Sequence, residues 1–208
     1  MARRTKADAQ ATRSGLLDAA EQLFEARGVS RTSLNDIAVA AGATRGAIYW
    51  HFKDKADLFN AMMERATGPL EQLIAQPPPG APAPGMDQVY AAILEALRHI
   101  ATDASLRRVM QIGTHRVEYV AELDAVQARH LTLHRQWLAR NRSALEHAFA
   151  QRPCPAAVSP DMAALGLQVL VKGLLQSWLL DTGAFDLVQA GRCTIATYLR
   201  GLGLEVEA

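Results

Sequence analysis

The sequence predicts an all-α fold in which an N-terminal three-helix domain precedes a larger helical domain, with about nine helices in total. Apolar residues recur every three or four positions along most of the 208 residues, as they do in amphipathic helices. No segment alternates apolar and polar residues for long enough to indicate a β-strand. Half of the residues are hydrophobic, so the chain can bury a core without disulfides, and its two cysteines suit a reducing compartment.

Three short helices are predicted at the N-terminus. The first carries an apolar stripe over residues 16–24 and ends at Gly28. The second begins at Ser33, which stands three residues before an acidic side chain in the spacing of a capping box. It ends at Gly42, and after this tight turn a third helix, capped by its first residue, covers Thr44–Trp50. We therefore expect a helix-turn-helix domain over residues 1–53.

A connecting helix over residues 54–76 is expected to lead into a second domain, 77–208, and to break or kink at Gly68-Pro69. Five prolines and two glycines within residues 77–85 predict a solvated loop. The later helices are expected at about 86–102 and 105–116, over a long segment ending near 151, from Pro160 after a Ser159 cap to the run 181–183, and from the Asp186 cap to about 202.

The distribution of charge is uneven, although the net charge is only +1. Residues 1–53 hold eight Lys and Arg against five Asp and Glu, so the positive charge lies at the N-terminal end. The basic start is not followed by the apolar run of a signal peptide. The most apolar segment, residues 162–180, carries Gln168, Lys172 and Gln176 at four-residue spacing, which favours a buried helix over a membrane span. We expect a cytoplasmic protein without a membrane partner.

The third helix and its exit carry hydrogen-bond donors and no acidic residue before Asp54, whereas a solvated helix usually mixes both charges. Such a surface suits the DNA major groove, where Arg45 can pair with a guanine edge and Gly46 permits close approach. Phe52 is expected in the core, and Trp50 is compatible with core or surface. The predicted DNA contacts are Ser33, Thr44, Arg45, Gly46, Tyr49, His51, Lys53 and Lys55.

The run GATRGAIYWHFKDKADLF at residues 42–59, preceded by TSLNDIA at 32–38, resembles the signature of the TetR family of transcriptional regulators. It is most similar to the multidrug efflux repressors of the AcrR and TtgR type, and it departs from the usual pattern at Ala43, where a valine is common. The resemblance implies a homodimeric repressor that binds a near-palindromic double-stranded DNA operator. It also implies a C-terminal site for a small hydrophobic inducer, and the same eight positions as DNA contacts.

The larger domain holds candidates for the inducer site and the dimer interface. Lys172 either pairs with an acid such as Glu118, Glu122 or Asp124, or lies at a dimer edge, or lines a pocket floor with Gln168 and favours an anionic inducer. The candidate ligand-binding residues, each of which also suits an ordinary core, are Val89, Ile93, Leu97, Met110, Thr114, His134, Trp137, Gln168, Val171 and Lys172. The candidate dimerisation residues are Leu174, Leu175, Trp178, Leu179, Tyr198, Leu199 and Leu202.

Three alternatives stay open. Oxidation of Cys154 or Cys193, or a protein antirepressor, could replace the small inducer. His130 and His134 stand four residues apart and could hold a metal in a helical-bundle enzyme, but a solvated helix face is the more common explanation. Because the chain lacks a Glu-x-x-His pair, a phosphate loop and a nucleophile motif, we expect no enzyme activity, no metal and no cofactor.

Overall fold

The computed structural model describes residues 6–73, 82–118 and 120–206, and within these ranges every regular element is helical, which confirms the all-α prediction. A short 3-10 turn at Ala121–Leu123 joins the sixth and seventh helices. The helices are α1 (Lys6–Arg27), α2 (Leu34–Ala40), α3 (Arg45–His51), α4 (Lys55–Leu73), α5 (Met86–Thr102), α6 (Ala104–His115), α7 (Asp124–Gln151), α8 (Pro160–Leu180) and α9 (Leu187–Gly201).

Packing divides the described chain into two compact units. The first contains the described residues up to Gly68 together with Arg108–His130, and the second contains Pro69–Arg107 and the residues from Leu131 onward. The second half of α6 and the start of α7 therefore pack with the N-terminal helices. The domains predicted from the sequence, residues 1–53 and 77–208, are defined by function and not by packing. This division stays a prediction.

The core of the first unit is formed by apolar side chains from its helices and from residues 108–130. Phe24, Ile37, Ile48 and Phe59 are completely buried, and the rings of Phe24 and Phe59 lie 5.9 Å apart in a tilted arrangement. Phe52 is buried in the same cluster, as predicted. Burial of each such side chain is worth about 1.5–3 kcal/mol, so this small unit is held mainly by hydrophobic packing.

A buried carboxylate links three helices of the first unit. Glu21 on α1 is 5% exposed and accepts contacts from Arg108 Nη1 on α6 at 3.1 Å and Arg65 Nη2 on α4 at 3.6 Å. Arg65 also pairs with the exposed Asp18 at 2.8 Å. Because a buried charge is costly unless it is paired, these two arginines make the burial of Glu21 possible.

The helix α4 continues through Gly68-Pro69 to Leu73, so the predicted break is wrong. A proline removes one N–H donor from the helical ladder, and here it does so within the last turn and a half, where little helix remains to be destabilised. The hydroxyl of Thr67 donates to the Met63 carbonyl oxygen at 2.8 Å just before this point. Residues 82–85 are non-helical, and residues 77–81 of the predicted loop lie outside the described residues.

In the second unit, α9 packs closely against α5 and α8 at two glycines. A Cβ atom at Gly191 would lie 2.4 Å from Leu97 Cδ1, and one at Gly166 would lie 2.3 Å from Tyr198 Oη. The Tyr198 hydroxyl donates to the Ala163 carbonyl oxygen at 2.9 Å. Burial, with a smaller effect of the Cys154 thiol, raises the pKa of Tyr198, so this hydroxyl stays protonated as a donor.

One face of α8 is apolar and exposed. By length and composition α8 could cross a membrane, and 39% of its apolar window is buried; a single helix of this kind is weak evidence for a membrane span. The exposed apolar side chains are Met162, Leu165, Val169 and Leu180, with 59%, 39%, 61% and 73% of their surface accessible. They lie on one helix face, where Gly173 and Gln176 stand between Val169 and Leu180, and we call these four side chains the α8 stripe.

Candidate nucleic-acid interface

A capping box fixes the start of α2, as the sequence predicts. The Ser33 hydroxyl accepts from the Asp36 amide at 3.1 Å, and the Asp36 carboxylate accepts from the Ser33 amide at 2.9 Å. The Ser33 hydroxyl also donates to this carboxylate at 2.6 Å. The hydrogen bonds from the hydroxyl and then from the amide of Ser33 hold the pKa of Asp36 below its usual value. The polar groups of Ser33 are thus engaged in starting the helix.

A tight turn separates α2 from α3. Gly42 has a φ of +64°, a left-handed conformation that favours glycine, and its amide donates to the Val39 carbonyl oxygen at 3.1 Å. Thr44 then caps α3 by accepting from the Ala47 amide at 3.2 Å. Ala47 and Ile48 are buried in the first unit, so the rest of this short helix is turned outward.

The outward face of α3 carries aromatic and cationic side chains. Tyr49 and Trp50 are 51% and 73% exposed, so the alternative of a core position is wrong for Trp50. The Arg45 guanidinium carbon lies 5.8 Å from the centre of the Tyr49 ring, and this cation–π contact restrains Arg45 at the surface. The His51 ring is partly buried and meets the Trp50 ring edge to face at 4.6 Å.

A cleft of about 420 Å³ lies beside this face. The cationic side chains of Arg31 and Lys53 line it. Lys53 is exposed, and its backbone amide donates to the Asp57 carboxylate at 3.0 Å. Arg31 is a surface cation that sequence reasoning missed, because it precedes the helix-turn-helix motif. The cleft is lined by Ser30, Arg31, Thr32, Ser33, Leu34, Asp36, Tyr49, Lys53, Asp54, Lys55 and Glu122.

Lys55 differs from the other predicted DNA contacts. Its side chain is 7% exposed, and its ammonium lies 3.0 Å from Glu122 Oε2 and 3.4 Å from the Ser30 carbonyl oxygen. A buried ammonium that is neutralised by a carboxylate is not available to a phosphate group. We therefore correct the sequence-based assignment and give Lys55 a structural role. The partner could not be foreseen, because Glu122 lies far along the chain.

Gly46 is exposed and is not crowded by its own chain. The nearest atom to a Cβ built at this position is Thr44 Oγ1, at 4.0 Å. An alanine would therefore fit, and it would also raise the helix propensity. Packing within the chain therefore gives no reason for a glycine at this position.

The predicted ligand-binding residues are divided between the two units. Val89, Ile93, Leu97, Gln168 and Val171 are buried in the second unit, and His134 and Trp137 are partly buried there. Met110 and Thr114 belong to the first unit, and Thr114 is exposed.

Lys172 is also exposed, so its assignment to a pocket floor is corrected, since an unpaired ammonium is costly to bury. The predicted acidic partners do not hold it either, because Glu122 pairs with Lys55 and the ion pairs found among the described residues do not include Lys172.

The predicted dimerisation residues lie mostly inside the protomer. Trp178, Leu179, Leu199 and Leu202 are at most 5% exposed, because α8 and α9 bury them against the rest of the second unit, so we correct their assignment. Leu174, Leu175 and Tyr198 are partly buried. The exposed apolar surface is the α8 stripe, which the composition of α8 could not reveal because apolar residues occur all round this helix.

The side chains behind the alternative mechanisms are dispersed. Cys154 is partly buried and Cys193 is exposed. His134 Nδ1 lies 3.0 Å from Gln168 Nε2, within hydrogen-bonding distance. Over residues 6–73, 82–118 and 120–206, no three His, Cys, Asp or Glu side chains are grouped as metal ligands would be.

Two family profiles match the chain. Residues 16–62 match the N-terminal profile of the tetR family of bacterial regulatory proteins, and residues 85–204 match the C-terminal region of MAATS-type transcriptional repressors. The chain is 36% identical over 199 residues to the HTH-type transcriptional regulator AcrR of Shigella flexneri, covering 96% of this chain and 93% of that protein.

Two solved structures extend the similarity to the fold. NalD, the secondary repressor of the MexAB-OprM multidrug efflux pump in Pseudomonas aeruginosa, superimposes with a TM-score of 0.83 at 34% identity, covering 94% of this chain and 98% of NalD. SmeT, the repressor of a Stenotrophomonas maltophilia multidrug efflux pump, matches in its complex with triclosan with a TM-score of 0.78 at 31% identity, covering 92% and 91%.

Proposed function

Because the chain belongs to the TetR family of transcriptional regulators, we propose that it represses a multidrug efflux operon and leaves its operator when a small hydrophobic compound binds the second unit. Its membership makes it a DNA-binding transcriptional regulator. The relatives that act on efflux pumps support the choice of operon, and the triclosan complex of SmeT supports the choice of inducer.

The observation that carries the proposal is the exposed face of α3. It presents Arg45 stacked on Tyr49, and a glycine that its own chain does not require, on a helix anchored by two buried residues. An arginine held in this way can bind the O6 and N7 atoms of a guanine with little further loss of side-chain entropy. A bare backbone at Gly46 lets α3 approach the base edges.

The remaining contacts then go to the DNA backbone. Tyr49 and Lys53, which line the cleft, and His51 are the proposed phosphate contacts, and Arg31 joins them as a fourth donor from the cleft. Ser33 and Thr44 act mainly by starting α2 and α3, which orients the amides of those helices. Lys55 is left out because its ammonium is paired with Glu122.

A second copy of the chain is the partner proposed for the α8 stripe. Four exposed apolar side chains on one helix face need cover, and pairing two such faces about a two-fold axis supplies it to both copies at once. The dimer then carries two copies of α3, which suits the two halves of a near-palindromic operator.

The test is operator binding by the purified full-length protein. Fluorescence anisotropy with the DNA that the protein pulls down, identified by sequencing, is expected to give tight binding that triclosan reverses. Replacing Arg45 with alanine is expected to weaken the free energy of operator binding by about 1–3 kcal/mol. Because a base contact is lost, the ratio of the affinity for the operator to that for random DNA should also fall. Replacing the exposed Arg135 on α7 is the matched control and is expected to change neither quantity.

Two results would contradict the proposal. Equal affinity of the wild-type protein for operator and random DNA argues against a specific repressor. Retention of the operator at saturating triclosan, followed by release on mild peroxide treatment and no release in the Cys154→Ser or Cys193→Ser variant, argues for cysteine oxidation in place of a small inducer.

A further inference from the structure

Five buried polar atoms of the second unit have no hydrogen-bond partner among the described residues. They are Trp137 Nε1, Arg140 Nη1 and both side-chain amide atoms of Asn141 on α7, and Gln168 Oε1 on α8. Native proteins leave few buried polar atoms unsatisfied, because each costs about 1–3 kcal/mol. Five in one region of one unit therefore indicate a function beyond packing.

Their positions bring them close together. Trp137 is followed three and four residues later by Arg140 and Asn141, so the Trp137 side chain is next to each of the other two on the α7 surface. Gln168 Nε2 lies 3.0 Å from His134 Nδ1 and 3.1 Å from the His134 carbonyl oxygen, which fixes Gln168 beside the preceding turn of α7. Of the two polar atoms in the Gln168 side chain, the carbonyl oxygen is the one without a hydrogen-bond partner among the described residues.

The charge of this cluster is positive and not compensated. Arg140 is 7% exposed, and burial lowers the pKa of its guanidinium, but arginine remains protonated in proteins. Among the described residues no carboxylate pairs with Arg140, whereas Arg142 pairs with Glu146 and Asp161 at 2.8 and 3.1 Å. A buried guanidinium without a carboxylate is costly to the protein alone, and an anionic ligand would remove this cost.

We propose that Trp137, Arg140, Asn141 and Gln168 form the polar end of the inducer site and that the natural inducer is a small amphipathic acid. Its carboxylate accepts from Arg140, Trp137 and the Asn141 amide nitrogen. A hydroxyl or N–H group beside the carboxylate donates to the two free amide oxygens. Leu167 and Val171, which flank Gln168 on α8 and are buried, offer an apolar surface to the rest of the ligand. This inference rests on the proposed function, because it names the ligand class of the site that releases the operator.

The probes are matched acids and amides of the same shape: benzoate with benzamide, naphthoate with naphthamide, and hydroxynaphthoate with hydroxynaphthamide. Calorimetric titration of the full-length protein is expected to give the best acid an affinity about tenfold or more above that of its amide. The Arg140→Met variant is expected to lose this preference, while the Arg135→Met control, an exposed arginine on the same helix, keeps it.

Stability separates a binding role from a structural one. Arg140→Met is expected to leave the thermal midpoint of the unliganded protein unchanged or raised, because an uncompensated buried charge is replaced by an apolar chain of similar length. A large fall of this midpoint would make Arg140 a structural residue and overturn the proposal. Equal binding of acids and amides to the wild-type protein, or an acid preference that survives in Arg140→Met, would overturn it as well.

The remaining outcomes are also decisive. Failure of all six probes to bind would assign the five atoms to internal water and overturn the proposed site. Release of the operator by amides as readily as by acids would overturn the acidic inducer but keep the ligand-released repressor. Acids that bind through Arg140 but leave the operator bound would keep the site and contradict the release mechanism.

Discussion

At Gly46 the residue that would best stabilise the helix differs from the residue proposed to suit DNA binding. Its own chain leaves room for a Cβ atom, and alanine is the better helix former by about 1 kcal/mol. We expect Gly46→Ala to raise the free energy of unfolding by about 0.5–1 kcal/mol and to lower operator affinity by roughly tenfold, which denaturant titration and anisotropy can measure together.

The control for this variant is Gly15→Ala. Gly15 lies inside α1, also has no atom within 4 Å of a Cβ built on it, and is outside the α3 face. It is expected to gain similar stability without loss of operator affinity. If Gly46→Ala binds the operator as tightly as the wild type, α3 does not approach the bases closely and the proposed docking is wrong.

For single residues, the sequence predicted structural roles well where these depend on residues nearby in the sequence. The capping box at Ser33, the Thr44 cap and the turn at Gly42 involve residues at most a few positions apart, and all are present. The burial of Lys55 could not be predicted, because its neutralisation by Glu122 depends on how distant segments pack.

Between elements, the Lys55–Glu122 pair joins the start of α4 to the 3-10 turn before α7. Removing Glu122 leaves the Lys55 ammonium, which is 7% exposed, without its carboxylate. We expect Glu122→Ala to destabilise the protein by about 1–3 kcal/mol and Lys55→Met to be close to neutral. In a double-mutant cycle followed by urea unfolding, adding Lys55→Met to Glu122→Ala is expected to restore most of the loss.

The same pair tests the corrected DNA assignment. Lys55→Met is expected to keep operator affinity and its salt dependence, whereas Lys53→Met should weaken binding to all sequences and reduce the salt slope by about 1. A similar loss in both variants, measured by anisotropy over a range of salt concentrations, would return Lys55 to the set of phosphate contacts.

Helix types and most helix ends were predictable, because caps, glycines and apolar periodicity are local signals. The continuation of α4 through Pro69 was not, since a proline near the end of a helix costs one hydrogen bond that packing can outweigh. The exposed face of α8 could not be predicted either, because apolar residues occur on all sides of this helix. Only tertiary contacts decide which of them are buried.

For the whole molecule, the proposed dimer through the α8 stripe gives a prediction about assembly. Val169 is 61% exposed at its centre, so Val169→Asp is expected to leave the protomer fold intact and to shift the protein from dimer to monomer at micromolar concentration. Sedimentation velocity measures the shift. Leu131→Asp, on α7 with 45% exposure, is the control and should remain dimeric. A Val169→Asp protein that stays dimeric would place the interface elsewhere.

The α8 stripe has a genetic consequence, because it belongs to the second unit while the DNA-reading α3 belongs to the first. In the proposed dimer, a chain damaged at Arg45 keeps its stripe and still pairs with intact chains. When both alleles are expressed equally, only about a quarter of the dimers contain two intact copies. Mutations in α3 should therefore be dominant, and mutations that destroy the stripe recessive. A cell that carries one damaged allele of the first kind would derepress its operon without losing the normal gene.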